Sequence, residues 1–158
     1  MKTFSDTTGR EWAITLNVAA MKRVRELCEV DLIQVVDNRG KLLQQLIADP
    51  ILLCNVIYVV CKSDADRLKI TDEQFGENMS GDAIEDATNA LLEELINFFP
   101  AQKREILQAV FQKMRTFETK AAEYAQAKLN SPEMEAQLNA VLKETLGDAF
   151  GNAPESSA

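Results

Sequence analysis

The residues best equipped for chemistry in this chain are its carboxylates and its three cysteines. Between Ile70 and Gln102 stand Asp72, Glu73, Glu77, Asp82, Glu85, Asp86, Glu93 and Glu94, with no lysine or arginine among them. A calcium loop needs oxygen ligands at alternating positions, a central glycine and a closing glutamate. The segment SDADRL lacks that continuation, and DEQFGEN has the wrong spacing. The run therefore reads as a solvated acidic face, or as one that docks a basic partner segment. Glu93 and Glu94 could share acid–base work only by facing each other, and adjacent residues on a helix point about 100° apart.

Cys28, Cys54 and Cys61 lie among apolar neighbours. Their odd number argues against a disulfide framework. The chain has no histidine, so a zinc site lacks ligands and a serine or cysteine nucleophile lacks its usual base. The thiols are read as small buried hydrophobes. The glycines are dispersed, which leaves neither a P-loop nor a dinucleotide fingerprint. No catalytic, metal or cofactor-binding residue is expected, no cofactor is expected, and the chain is expected not to be an enzyme.

A formal net charge of −8 opposes binding to phosphate backbones and to anionic membrane surfaces. The clearest basic patch, Arg10 with Lys22, Arg23 and Arg25, has no aromatic row beside it and reads as a solvated helix face. The apolar run from Ile51 to Cys61 is broken by Asn55 and is shorter than the about 20 residues that span a bilayer. The opening MKTFSDTTGR lacks the apolar centre of a signal peptide. A cytoplasmic location is expected, with neither nucleic acid nor a membrane as partner.

The elements that must position any functional surface follow from periodicity. Phe4 precedes the turn-forming DTTG, and Trp12, Ile14 and Leu16 then alternate with Glu11, Ala13, Thr15 and Asn17, which predicts a β-hairpin. Asn17 is a suitable cap for a helix whose apolar face is Met21, Val24, Leu27 and Cys28. Asp31 can cap the short LIQVV before a turn at Asn38–Gly40, and KLLQQLIA forms a helix ended by Asp49-Pro50. Pro50 suits the first turn of ILLCNVIYVVCK, a central core helix. KSDADRLK is read as a polar connector, and Thr71 with Gln74 as a capping box for a short helix reaching Met79. Ile84, Ala87, Leu91, Leu92, Leu95 and Phe98 or Phe99 stripe the next helix, which Pro100 ends.

The longest helix is AQKREILQAVFQKMRTFETKAAEYAQAKL, about 43 Å at 1.5 Å per residue. Val110, Met114, Phe117, Ala121 and Tyr124 alternate at spacings of four and three, a coiled-coil-like seam that Leu107 and Phe111 widen. SPEM restarts the chain into a last helix with Leu138, Val141, Leu142 and Leu146 on one face, closed by Gly147. The expected fold class is mainly α, a compact multi-helix domain with a small N-terminal β-hairpin and a long C-terminal helical pair. Its expected layout is a single helical domain over residues 1–147, with the hairpin at 1–17, a helical core at 18–99 and the long and last helices at 101–147. A flexible tail is expected at 148–158.

The stretch TTGREWAITLNVAAMKRVRELCEVDL resembles the strand pair and amphipathic helix that open the tail assembly chaperones of long-tailed bacteriophages and prophages. LLCNVIYVVCK, the acidic ITDEQFGENMSGDAIEDA and LLEELINFFP are similar to the same family, so the resemblance covers roughly residues 2–117. It is one of pattern, because the family has no catalytic motif. The resemblance implies a non-catalytic protein that binds the helical tape measure protein and keeps it soluble before the tail tube polymerises. The alternative is a structural tail or head-completion protein that stays in the particle. The expected partners are the tape measure protein or another tail component, with self-association left open. Trp12, Met21, Phe117 and Tyr124 are the candidate contact or supporting residues.

Overall fold

Asp6 folds the N-terminus back on itself. Its backbone N–H donates to the Arg10 carbonyl at 2.9 Å and its own carbonyl accepts from the Gly9 N–H at 2.9 Å. Gly9 takes a φ of 80°, a left-handed conformation that a glycine enters without steric cost. The flanking segments become antiparallel strands β1 (Lys2–Ser5) and β2 (Glu11–Ile14), with Phe4 opposite Trp12. Period-two alternation puts Phe4, Trp12 and Ile14 on the buried face.

The computed structural model describes residues 1–36 and 40–151, with side chains as far as Gly147. Among these residues the two strands are joined by eight α-helices, so the fold is mainly α with an N-terminal hairpin. The contacts cluster into two compact units, Met1–Phe111 and Gln112–Ala158.

In the first unit, α1 (Val18–Cys28) starts at Asn17, whose side chain accepts from the Ala20 N–H at 2.9 Å. A single 3-10 turn, Leu32–Val35, is capped by Asp31. Helix α2 (Lys41–Ala48) meets α3 (Pro50–Val60) at a bend of 101°, where Asp49 accepts from the N–H groups of Ile51 and Leu52. Helix α3 is the central helix, as its composition predicts. Leu53, Val56, Ile57, Val59 and Val60 are buried, with α1 packed along it and α6 against it. The Thr71–Gln74 capping box is formed by both of its hydrogen bonds and opens α5 (Asp72–Glu77). Helix α6 (Asp82–Phe98) lies against β1 and buries Ala87, Leu91, Leu92 and Leu95. Gly81 precedes it at φ 56° and ψ −130°, a conformation that residues with a Cβ rarely adopt. The first turns of α7 (Ala101–Leu129) seat Leu107 in this core.

Three expectations are corrected. KSDADRLK is not a connector but carries α4 (Lys62–Leu68), because Lys62–Asp66 and Arg67–Asp64 pair one turn apart at 3.0 Å and Ala65 is buried beneath them. Leu27 does not join the buried face of α1; burial stops at Ala20, Met21 and Val24, and Leu27 is exposed. Gly147 does not end the last helix, since α8 (Pro132–Gly151) runs through it. An isolated glycine inside a helix costs only about 1 kcal/mol relative to alanine. The first four residues of the expected tail are therefore helical, and residues 152–158 lie outside the described residues. Apart from Gly40, so does the expected turn at Asn38–Gly40.

The second unit holds the remainder of α7 and then α8. Ser131 separates the two helices, its hydroxyl donating back to the Lys128 carbonyl at 2.6 Å and accepting from the Met134 N–H at 3.3 Å. Pro132 begins α8, as the SPEM pattern predicts.

Candidate partner-binding surface

The four candidate residues fall into two classes. Trp12 is 1% exposed and Met21 is 5% exposed, so neither side chain offers a surface to a partner. Their part is support. The Trp12 ring meets Phe75 edge-on with centroids 5.0 Å apart, and Tyr58 leans on the same Phe75 at 5.5 Å. Trp12 Nε1 donates to Asp6 Oδ2 at 3.0 Å.

Sequence reasoning missed the buried role of Asp6. Besides the Trp12 indole, its Oδ1 accepts from the Thr8 N–H at 2.9 Å, the Thr8 hydroxyl at 2.6 Å and the Arg10 N–H at 3.0 Å. Burial alone pushes its carboxyl upward, but these four donors together outweigh it and hold the group below the ordinary aspartate value. The turn DTTG was legible. The signal for the rest was a tryptophan six residues after the aspartate, on the strand face that must point inward.

Phe117 and Tyr124 are the opposite case, 74% and 71% exposed. Both belong to the stripe on α7, which continues past the half-buried Val110 and Met114 to Phe117, Ala121 and Tyr124. Helix α8 repeats the situation, because Leu138, Val141, Leu142 and Leu146 are all more than half exposed. Helices α7 and α8 do not pack along their lengths. Where they meet, Leu129, Leu138 and Leu142 with Asn130, Glu135 and Asn139 line an open hollow of about 420 Å3. Two consecutive helices of the second unit thus carry apolar stripes of helical period that the unit itself leaves uncovered.

The first unit presents a different surface. A cleft of about 430 Å3 between α1, α3 and α5 is lined by Leu27, Cys28, Leu52, Asn55, Tyr58, Val59, Lys62 and Asp72. The Cys28 thiol there is pushed up by burial and then by the Asp72 charge, which disfavours the nucleophilic thiolate. Burial raises Cys54 likewise and, helped by Asp64, lifts Cys61 to about 12. All three are free thiols, with Cys61 buried as expected and Cys28 and Cys54 half-buried.

The acidic run is only partly a solvated face. Glu93 pairs with Lys2 at 2.6 Å, whose ammonium is raised by that hydrogen bond. Glu94 is buried and meets the Met1 ammonium at 2.8 Å. The two adjacent glutamates face different partners, Lys2 on β1 and the Met1 ammonium just before it, as the 100° rotation per residue requires. Among the described residues, no group of three or more Cys, Asp or Glu is placed to hold a metal ion, and no single helix is long and apolar enough to cross a membrane. Comparison with family models, curated proteins and solved structures finds no match for this chain.

Proposed function

We propose that the protein is a non-catalytic assembly chaperone, of the kind it resembles among phage tail assembly chaperones, acting in the cytoplasm of a bacterial host. It holds the helical tape measure protein in solution before the tail tube polymerises around it. The observation that carries this reading is the uncovered apolar stripe of the second unit, above all Leu138, Val141, Leu142 and Leu146 on α8. An amphipathic client helix would lay its own apolar face against such a stripe through anchors spaced three and four residues apart. A few leucines per site give a reversible hold, which suits a client that must later be released to the tube.

The test is co-expression with the tape measure protein of the same genome, followed by capture and light scattering. A soluble complex, with the client insoluble when expressed alone, is the expected result. Leu138→Ser with Leu142→Ser should return the client to the pellet while the chaperone remains folded. A client that stays insoluble beside abundant soluble wild-type protein would overturn the reading and favour a structural tail or head-completion subunit.

A further inference from the structure

The seam on α7 specifies more than an apolar face. Its spacing of three and four assigns Met114, Ala121 and Lys128 to the first core position of successive heptads, and Val110, Phe117 and Tyr124 to the second. Lys113 and Lys120 then stand immediately before core residues, at the position that flanks the seam on one side. Glu118 stands immediately after Phe117, on the other side. Lys113, Glu118 and Lys120 are exposed. Lys113 and Glu118 are held in no ion pair among the described residues.

In a parallel, in-register pair of identical helices, the residue before the first core position faces the residue five further along on its partner. Lys113 of one copy then meets Glu118 of the other, and symmetry makes two such contacts. An antiparallel pair instead sets lysine-bearing edges against each other. The charge pattern therefore distinguishes the two orientations and favours a second copy aligned in parallel. Lys128, a single polar residue at a core position, is the kind of device that fixes register and two-stranded association at some cost in stability.

The area is adequate for a weak dimer. Two Phe117 and two Tyr124 rings, each more than two-thirds exposed, would remove roughly 500 Å2 from water. That is about half of what a specific interface requires, and Met114, Ala121 and the lysine stems add to it.

We propose that residues 113–128 of α7 form a parallel two-stranded seam with a second copy of this chain, covering Phe117 and Tyr124 and leaving the α8 stripe free. The pairing stands independently of the client. Only the assignment of α8 to the client rests on the chaperone reading. Two copies joined at α7 would present two α8 stripes to one long client, raising avidity without any new contact.

The experiment is light scattering and sedimentation equilibrium of the full chain over a concentration series, without client. A monomer–dimer equilibrium is expected, and Phe117→Ser should shift it to monomer while circular dichroism reports an intact fold. Lys113→Glu alone sets glutamate against Glu118 and should weaken the dimer about fivefold, as should Glu118→Lys alone. The double exchange K113E/E118K should restore it. A monomer at all concentrations up to about 1 mM, or a dimer that K113E tightens, would overturn the proposal. Client solubilisation is read separately, through Leu138 and Leu142, so failure of the pairing and failure of the chaperone reading are distinguishable.

Discussion

Helix α1 and helix α8 are written in the same code and meet different fates. Each carries apolar residues at three- and four-residue spacing, and each begins at a side-chain cap, Asn17 or Ser131. In α1 that face is buried where Ala20, Met21 and Val24 lie against α3. In α8 the equivalent face, from Leu138 to Leu146, stays in water. The pattern dictates that a helix has an apolar side; burial also needs a complementary side elsewhere. The first unit supplies it from α3 and the 3-10 turn, whereas the second offers none of its own. Helices without tertiary cover gain little from propensity alone, so a stripe left open is a place where a partner stabilises the helix as well as binding it.

The sharpest way to break this contrast is to remove the same kind of group from each unit. Trp12→Ala deletes a buried ring that packs on Phe75 and holds Asp6, and it should cost about 3–5 kcal/mol. That is a large share of the roughly 5–15 kcal/mol that stabilises a domain. Tyr124→Ala should change monomer stability by less than about 0.5 kcal/mol, because its ring is already in water. Urea unfolding at low protein concentration measures both. Similar losses for the two variants would mean that Tyr124 is covered within the monomer.

Asp6 gives the next largest effect and ties it to pH. Asn at this position turns one acceptor into a donor facing the Trp12 N–H and should cost about 2 kcal/mol at pH 7. The folded carboxyl sits below its ordinary value, so its contribution is fully present above the unfolded value of about 3.9. It is lost as pH falls through the lower folded value. The stability gap between wild type and Asp6→Asn should therefore be constant from pH 7 to about 5 and narrow below about 4. A gap that widens on acidification would show that the ionised carboxylate is destabilised in the folded state.

These cases also show how far the sequence could be read. The hairpin, the Asn17 and Asp31 caps, the Thr71–Gln74 box, the Pro50 start and the span of α7 were legible because each depends on residues within a few positions of one another. What was not legible depends on distant partners. Trp12 and Phe117 are both aromatic residues on apolar stripes, and nothing local says that one is sealed under Phe75 and the other open. Glu94 reads as one acid in an acidic run until β1 brings the Met1 ammonium to it. Helix α4 was hidden by its polar composition, although its Lys62–Asp66 and Asp64–Arg67 spacing was visible in the sequence.

The caps sharpen the comparison at about 1 kcal/mol. Asn17→Ala should lower the unfolding free energy of the first unit by about that amount, because α1 is locked into its core. Ser131→Ala loses a similar bond, but from a helix packed on little else. Its effect should appear as faster amide exchange through the first turns of α8, with the urea midpoint of the first unit unchanged. Equal shifts of that midpoint by both variants would show that α8 unfolds together with the core.

The smallest expected effect runs in the stabilising direction. Glu29 closes α1 in the left-handed region at φ 56° and ψ 26°, where a side chain crowds its own carbonyl and glycine does not. Glu29→Gly relieves that crowding but gives the unfolded chain more freedom, so the net gain should be about 0.5 kcal/mol. For a unit of this size that corresponds to a melting shift of roughly 2–4 °C. Lys69, at φ 57° after α4, provides an independent repeat of the experiment. Because both sites lie in the covered unit, the gain should raise its melting temperature and leave amide exchange in α8 where it was. Slower exchange in α8 would mean that the strength of the core reaches the open stripe, and that an intramolecular contact, not a partner, governs its order.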